Sequence, residues 1–264
     1  MDILIFGGQS NMQGQTEVLS EDVVVSGAYE YKYLTDSLLP LNNPVGEDIK
    51  ADGTVGMKST EKTVLSQWLK ANTLGASWCG NTNMVPEFCR TYIKEKGTQV
   101  TAVHCAKGST NISYWMPGTT GYKLLKNKSL AAIKKVSSEH EINHIYFVWL
   151  QGESDAILGV SKDEYKEKLL ILSNALKHEI GVEIFGIIKV GRFTNDERDI
   201  AIMDAQTEIC DENSDFLMLT QFASELCSKP EYMNPFVGGH YNAKGQELIG
   251  RLAGTTLGKL SGNC

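Results

Sequence analysis

The sequence has no hydrophobic run of membrane-spanning length and no Cys-x-x-Cys pair, although it contains six cysteines in 264 residues. A spanning helix needs about twenty consecutive apolar residues, so we expect no membrane partner. Irregularly spaced cysteines in a chain of this length are typical of free thiols in a reducing compartment. The first residues also lack a basic segment followed by a long apolar one, and we therefore expect a soluble, cytoplasmic protein.

Basic charge is also scarce, because 25 Lys and Arg residues stand against 32 Asp and Glu residues, which gives a net charge of −7. An acidic chain is repelled by phosphate backbones and by anionic membranes, so we expect no nucleic-acid partner. The hydrophobic content of 42% is ordinary for a globular protein. Neutral small molecules and sugars remain open as partners.

Short apolar runs alternate with longer amphipathic stretches along most of the chain. Near-continuous apolarity favours strands that are buried on both faces, as in a parallel sheet. The alternation predicts an α/β fold, a three-layer α/β/α sandwich that is flavodoxin-like in outline, with a central parallel five-stranded sheet. The predicted strands cover 3–6, 100–105, 144–150, 183–190 and 216–220. The predicted helices cover 85–96, 122–139, 161–180, 198–212 and 242–260.

Residues from about 16 to 80 break this alternation with tyrosines, acidic residues and two prolines. We interpret this stretch as a long excursion after the first strand, within a single domain that covers 1–264. A long loop above the carboxyl ends of a parallel sheet is a natural place to shape a substrate pocket.

The stretch IFGGQSNMQGQ places Ser10 directly after the first predicted strand. A residue there emerges at the carboxyl edge of the sheet, where α/β folds bind ligands. Ser10 could therefore be a nucleophile, and the N–H groups of a following helix could stabilise an anion. A helix N-cap in a glycine-rich turn explains this stretch at least as well.

A serine nucleophile needs a base, and His240 is the best placed of five histidines because it lies in the glycine-flanked loop FVGGHYNAKGQ. The alternative is a loop residue that only caps the last helix. The other four histidines fit structural or solvated positions. The pair His140 and His144 has metal-ligand spacing, but no carboxylate or thiol around it completes a zinc site, so we expect no metal and no cofactor.

Two more polar segments follow predicted strands. In WLQGESD, Glu153 could orient His240 and the Gln151 amide could donate to an oxyanion, although a helix-capping turn is the plainer interpretation. In CAKGSTNISYW, Gly108 could offer a bare backbone N–H to the same oxyanion. Ser109 could contact substrate or only form a turn, and Trp115 could pack on a sugar ring or belong to the core.

These four segments together resemble the sequence blocks of the SGNH hydrolases, in the form used by carbohydrate esterase family six and the sialate O-acetylesterase group. The matching stretches are GGQSNM, KGSTNISYW, WLQGESD and GGHYNAKGQ, in the family order. The resemblance implies a metal-free serine hydrolase that removes acetyl groups from carbohydrate hydroxyls. It implies Ser10 as nucleophile and His240 as base, with an oxyanion hole made of the Ser10 and Gly108 N–H groups and the Gln151 side chain. We expect Gln9, Asn11, Ser109 and Trp115 to contact the substrate.

The chain departs from the family at the triad acid. Many members have an aspartate two or three residues before the histidine, whereas this chain has Gly238 and Val237. Glu153 matches a third-block glutamate that the esterase-six group is thought to use, so we predict Glu153 as the acid. A serine–histidine dyad and a share of the role for Asp155 are the alternatives.

The substrate is less closely defined than the chemistry. Acetylated xylan or xylo-oligosaccharide is the first expectation, O-acetylated sialic acid the second, and a general ester of small acyl groups the third. A non-catalytic carbohydrate-binding protein of the same fold is a hypothesis of another class. A phosphate- or nucleotide-binding module is disfavoured, because neither G-x-G-x-x-G nor a Walker lysine loop follows a strand.

Overall fold

A computed structural model describes residues 1–16, 23–47 and 82–260 of the chain. Seven strands form one sheet in the described part. They are β1 (Asp2–Gly8), β2 (Ala28–Lys32), β3 (Ser37–Pro40), β4 (Val100–Ala106), β5 (Ile145–Leu150), β6 (Ile184–Ile188) and β7 (Phe216–Thr220). Their order is β3-β2-β4-β1-β5-β6-β7, and every neighbouring pair is parallel except the antiparallel pair β2–β3.

Helices cover both faces of this sheet. They are α1 (Ser10–Gln13), α2 (Val85–Lys96), α3 (Thr120–Ser137), α4 (Glu153–Leu158), α5 (Lys162–Ile180), α6 (Glu197–Glu212), α7 (Phe222–Leu226) and α8 (Ala243–Gly258). Two short 3₁₀ helices span Ile112–Trp115 and Pro230–Tyr232. Within the described ranges, no helix combines the length and the apolarity that a membrane span requires.

Alternate residues of the central strand β1 serve two separate hydrophobic cores. Ile3 and Ile5 pack into the core under α3, α5 and α6, whereas Leu4 and Phe6 pack into the core under α2, α7 and α8. A strand buried on both faces carries apolar residues at consecutive positions, which is why ILIF is continuous. The three-layer α/β/α fold predicted from the sequence is confirmed.

The expected number of five strands is wrong, because β2 and β3 extend the sheet to seven. The sequence AYEYK of β2 contains two charged residues, so it lacks the continuous apolar run that predicts a buried strand. In the structure Glu30 and Lys32 are both buried, and their Oε2 and Nζ atoms are 2.8 Å apart. Strand β3 lies at the sheet edge and is largely exposed, so it also lacks an apolar signature.

The expected excursion over 16–80 is therefore partly a hairpin of the sheet. Strands β2 and β3 lie inside this stretch, and 17–22 and 48–80 fall outside the described residues. The described chain on either side is joined by a reciprocal asparagine pair. Asn83 N–H donates to Asn43 Oδ1 at 3.1 Å, and Asn43 Nδ2 donates to the Asn83 carbonyl at 3.4 Å.

Helices α2 and α8 approach closely along a glycine face of α8. A methyl group added at Gly254 would lie 2.2 Å from the Phe88 carbonyl oxygen. We expect Gly254→Ala to destabilise the protein by about 1–3 kcal/mol, because the helices must separate. This cost exceeds the gain of about 1 kcal/mol that alanine brings to a helix interior.

The measurement for this prediction is the thermal midpoint of unfolding. A fall of several degrees is expected for Gly254→Ala. Gly238→Ala is the matched control, since a methyl group there would meet nothing within 4 Å. A Gly254→Ala midpoint at or above that of the parent protein would contradict the packing argument.

Candidate active site

The carboxyl ends of three adjacent strands bring the predicted segments together. In the register of β1 with its neighbours, Gly8 lies opposite Ala106 of β4 and Leu150 of β5. The segments that follow these residues carry Ser10, Gly108 and Gln151. Parallel strands end at the same edge of the sheet, so all three segments leave the sheet at one place.

Ser10 is the first residue of the one-turn helix α1 and is only 6% exposed. Gly8 permits the tight exit from β1. Its φ is +144°, and a methyl group there would lie 2.0 Å from the Leu150 carbonyl oxygen. At the first position of a helix the backbone N–H has no acceptor within the helix, so the Ser10 N–H can serve a ligand.

His240 lies against Ser10, with its Nε2 atom 2.8 Å from the Ser10 Oγ atom. The other ring nitrogen, Nδ1, is 2.8 Å from the Gly238 carbonyl oxygen. A carbonyl can only accept a hydrogen bond, so Nδ1 carries the proton and Nε2 is left free to accept. The ring therefore has the tautomer that a general base for Ser10 requires.

The loop around His240 is held from several sides. The Asn234 N–H donates to the His240 carbonyl at 2.7 Å, and the Asn234 side chain accepts from two backbone N–H groups of the same loop. The Phe193 ring meets the His240 ring edge-on at a centroid distance of 6.3 Å. Gly239 has a φ of +74° and leaves room for the Phe193 ring. The position of the histidine thus rests on backbone contacts as well as on its side chain.

Glu153, the predicted triad acid, makes no hydrogen bond to His240 in the described part of the chain. Its Oε1 atom instead accepts from Asn11 Nδ2 at 2.7 Å. Glu153 is 3% exposed, and its Oε2 atom has no hydrogen-bond partner among the residues that the structure describes. Burial raises the pKa of the Glu153 carboxyl, and the hydrogen bond from Asn11 opposes this shift.

Asn11 stands between Glu153 and the histidine loop. Its Nδ2 atom also donates to the Gly239 carbonyl at 3.1 Å, and its Oδ1 atom accepts from the Tyr241 N–H at 3.2 Å. The Asn11 side chain therefore hydrogen-bonds to the backbone on both sides of His240. Asn11 was predicted to contact substrate, and in the structure its carboxamide makes these three internal hydrogen bonds.

Gln151 is fully buried and bonded at both ends of its carboxamide. Its Nε2 atom donates to Gln9 Oε1 at 3.2 Å, to the Thr110 carbonyl at 3.0 Å and to the Asp155 carboxylate. Its Oε1 atom accepts from the Tyr165 hydroxyl at 3.0 Å. The amide predicted to face the oxyanion thus ties together the three segments that follow β1, β4 and β5.

Asp155 completes this buried network. Its carboxylate accepts from the Gln151 amide and from the Ile112 N–H, the latter at 2.9 Å. Burial raises the pKa of Asp155 to about 6, and the two hydrogen bonds oppose the shift. Asp155 does not touch His240, and its contacts hold the start of the first 3₁₀ helix instead.

Gly108 lies beside the nucleophile, since a methyl group added there would be 3.5 Å from Ser10 Cβ. Its N–H, predicted as an oxyanion donor, donates to Gln13 Oε1 at 2.8 Å. No sequence pattern indicates this role of Gln13, because a glutamine in a polar turn can point in many directions. The next residue, Ser109, is exposed and has a φ of 60°, which is strained for a residue with a side chain.

Gln9 and Trp115 are both placed inside the protein. The Gln9 Oε1 atom accepts from Gln151 Nε2 and from the Ser154 N–H. Trp115 is 2% exposed, and its Nε1 atom donates to Thr110 Oγ1 at 3.1 Å. The structure therefore does not bring Trp115 to the surface near Ser10. Its half-buried neighbour Tyr114 lines a cavity together with Ser109 and Ser154.

The described residues contain no cluster of three or more His, Cys, Asp or Glu residues arranged as metal ligands. His104 is buried, and burial lowers its pKa to about 3, helped by the charge of Lys128. His144 instead pairs with Glu183 near the surface. Neither histidine approaches Ser10 in the way that His240 does.

Comparisons with known proteins show the family of the chain. A family model described as carbohydrate esterase, sialic acid-specific acetylesterase, matches residues 1–254. No curated protein matches the chain significantly.

Several solved structures share the fold. A protein from Arabidopsis thaliana is 19% identical, with a TM-score of 0.67 over 98% of this chain and 99% of that chain. NanS is 13% identical, with a TM-score of 0.63 over 97% and 96%. A carbohydrate acetylesterase from Xanthomonas citri is 16% identical, with a TM-score of 0.53 over 96% and 54%. At these identities the similarity concerns the fold.

Proposed function

Because the chain belongs to the carbohydrate esterase family of sialic acid-specific acetylesterases and is a carboxylic ester hydrolase, we propose that it removes acetyl groups from sugar hydroxyls through an acetyl-enzyme. The observation that carries the proposal is the 2.8 Å contact between His240 Nε2 and Ser10 Oγ. The Gly238 carbonyl fixes the ring in the tautomer that can accept the Ser10 proton.

In the acylation half of the reaction, His240 Nε2 takes the hydroxyl proton of Ser10 while Oγ attacks the acetyl carbonyl carbon. The Ser10 and Gly108 N–H groups are the proposed donors to the developing oxyanion. When the tetrahedral intermediate collapses, the bond between the acetyl carbon and the sugar oxygen breaks. His240 then gives its proton to that oxygen, and the sugar leaves with a free hydroxyl.

In the deacylation half, a water molecule takes the place of the sugar. His240 accepts a proton from the water as it attacks the acetyl carbon, and the bond to Ser10 Oγ then breaks. The proton returns to Oγ and acetate leaves. The cycle needs no metal and no cofactor.

We further propose that Glu153 acts on His240 through Asn11 and not by direct contact. Asn11 bonds the backbone on both sides of the histidine, and Glu153 fixes the orientation of the Asn11 carboxamide. The imidazolium formed in the reaction is then stabilised by the Gly238 carbonyl. Glu153 is a positioning residue in this scheme, and Ser10 and His240 are a dyad.

The proposed role of Gln151 is also structural in the resting protein. Its two N–H protons already face three acceptors, so donation to an oxyanion would require at least one of these hydrogen bonds to break. Its three bonds hold the segments around Gln9, Thr110 and Asp155 at fixed separations. A part for Gln151 in the oxyanion hole remains a prediction.

Acetylated xylan or xylo-oligosaccharide is the proposed substrate class, and O-acetylated sialic acid is the alternative, which the description of the family model favours. A general esterase of small acyl esters and a non-catalytic carbohydrate-binding protein are less favoured. We also propose that 1–264 form one domain and that the protein works in the cytoplasm. Its net charge of −7 disfavours nucleic acid and anionic membranes as partners.

Labelling with a serine-directed organophosphonate tests the proposal. We expect one phosphonyl group per chain, attached to Ser10, because only an activated hydroxyl attacks such a reagent readily. Intact mass and peptide mapping give the stoichiometry and the site, and EDTA should change neither. Denatured protein is the control for non-specific reaction. A protein that stays unlabelled when folded would favour the carbohydrate-binding hypothesis.

A further inference from the structure

We propose that Asp199 is a positioning residue for His240 and that it acts through the ring of Phe193. Asp199 lies in the first turn of α6, and Phe193 lies in the β6–α6 loop, which spans 189–196. None of the four sequence blocks that carry the family resemblance contains either residue. This inference rests on the proposed function, in which His240 is the general base.

The Asp199 carboxylate fixes the backbone of the β6–α6 loop. Its Oδ1 atom accepts from the Phe193 N–H and from the Thr194 N–H, both at 3.0 Å. Its Oδ2 atom accepts from the Asn195 N–H at 2.6 Å. Asp199 is only 1% exposed, and hydrogen bonds to a carboxylate are stronger than those between neutral groups. One side chain therefore holds three consecutive residues in one conformation.

That conformation includes an unfavourable backbone angle at Asn195. Its φ is +62°, in the left-handed region that residues with a side chain seldom adopt, although asparagine adopts it more readily than most. The bond from the Asn195 N–H to Asp199 stabilises this angle. Without the carboxylate we expect Asn195 to relax, and Phe193, two residues earlier, to move with it.

The Phe193 ring occupies the space beside the histidine. A methyl group added at Gly239 would lie 2.0 Å from Phe193 Cε2, so the ring packs directly on the backbone of the residue before His240. The phenyl and imidazole rings meet edge-on, with an interplanar angle of 86°, which is a favourable arrangement for two aromatic rings. A packed ring at this place limits displacement of the imidazole.

The start of the β6–α6 loop supports the histidine from its other neighbour in sequence. A methyl group added at Gly191 would lie 2.4 Å from the hydroxyl oxygen of Tyr241, the residue after His240. The loop thus contacts the residues on both sides of the histidine. A shift of the loop would change the 2.8 Å separation of His240 Nε2 and Ser10 Oγ, and small displacements of reacting groups are costly to the rate.

Steady-state kinetics of Phe193 variants test the role of the ring. Phe193→Ala should lower kcat about tenfold and leave KM within about twofold, because the histidine loses a neighbour and the substrate does not. Phe193→Leu should recover most of the lost kcat, since an aliphatic side chain of similar volume refills the space. A rise in KM at unchanged kcat would make Phe193 a substrate contact and overturn the positioning role.

A double-mutant cycle tests whether Asp199 acts through Phe193. Asp199→Ala should also lower kcat about tenfold, and the double variant Asp199→Ala/Phe193→Ala should lose little more than either single variant. Asp199→Asn, which keeps one acceptor oxygen, should give a smaller loss and serves if the alanine variant does not fold. The matched control is Asp204→Ala, an exposed carboxylate on the same helix, which should keep the parent kcat. Additive losses would show that Asp199 does not act through Phe193.

The NMR signals of the His240 ring report its position without any turnover. Comparison with His240→Ala assigns them. Among the described residues Asp199 makes no hydrogen bond to His240, so a shift of these signals in Asp199→Asn means that the ring has moved. Asp204→Ala should leave the signals in place.

The outcomes separate this inference from the proposed function. A parent protein that releases no acetate and escapes organophosphonate labelling would overturn the esterase mechanism. The His240 signals would then still decide whether Asp199 positions the ring. If they coincide in the parent protein and in Asp199→Asn, and Asp199→Asn also keeps the parent kcat, the positioning role is wrong.

Discussion

Replacing Ser10 with alanine should lower kcat for acetate release by about 10⁴- to 10⁶-fold. The Ser10 Oγ atom is the only protein atom in the proposed mechanism that forms a bond to the acetyl carbon. Its contact with His240 Nε2 at 2.8 Å is what makes it a nucleophile. Without Oγ, the remaining N–H donors can only assist a direct attack by water, which is slow.

Acetate release from acetylated xylo-oligosaccharides and from p-nitrophenyl acetate, both in the presence of EDTA, measures this effect. Ser137→Ala is a matched control, since Ser137 is exposed at the end of α3 and, among the described residues, its hydroxyl bonds to the Lys134 carbonyl of the same helix. The control should keep the parent rate. If Ser10→Ala keeps more than about one hundredth of the parent rate on every ester, Ser10 is not the nucleophile.

Substitution of Glu153 should give the second large effect on kcat. The alanine and glutamine variants together distinguish a positioning role from that of a triad acid. Glu153→Ala should lower kcat about a hundredfold, because Asn11 loses its partner and the histidine loop shifts. Glu153→Gln should stay within about tenfold of the parent, since an amide oxygen can accept from Asn11 Nδ2 as a carboxylate does. A direct triad acid would give the opposite result, with a loss of about 10⁴-fold for the amide.

The pH dependence of kcat/KM gives a readout that a loss of stability would not mimic. Glu153→Gln removes a titrating group whose pKa burial raises. If Glu153 acts only through the orientation of Asn11, the acid limb of the profile should keep its midpoint in this variant. A shifted midpoint together with a large loss of kcat would show that the carboxylate charge acts on His240 directly. Asn11→Ala should reproduce the Glu153→Ala loss, because both substitutions disrupt the hydrogen bonds between Asn11 and the histidine loop.

Most of the fold could be predicted because its signals are local. The strands buried on both faces have continuous apolar sequences, and the long helices have amphipathic patterns and clear ends. Strand β2 escaped detection because Glu30 and Lys32 are buried as an ion pair. A strand whose buried positions are charged has no continuous apolar run in its sequence. Whether it pairs with other strands depends on residues that are distant in sequence.

In the site as well, features with a local sequence pattern could be predicted, and contacts between distant segments could not. Ser10 and His240 could be proposed because glycine-flanked polar segments follow strands that end at one edge of a sheet. The hydrogen-bond partner of His240 Nδ1 could not be proposed from the sequence. It is the backbone carbonyl of Gly238, and every residue has a carbonyl. The actual contacts of Glu153 and Gln151 depend on side-chain directions across segments that are far apart in sequence.

The hydrogen bond from the Gly108 N–H to Gln13 Oε1 has a consequence for the selectivity of the proposed oxyanion hole. A substrate carbonyl that enters must exchange places with a carboxamide oxygen, which is an equally good neutral acceptor. The exchange yields little free energy while the carbonyl is uncharged. An oxyanion is a much stronger acceptor, so the gain arrives only as negative charge develops. In the resting protein, Gln13 Oε1 thus competes with the substrate carbonyl for the Gly108 N–H. This competition weakens binding of the uncharged ground state and leaves the N–H available to the oxyanion of the transition state.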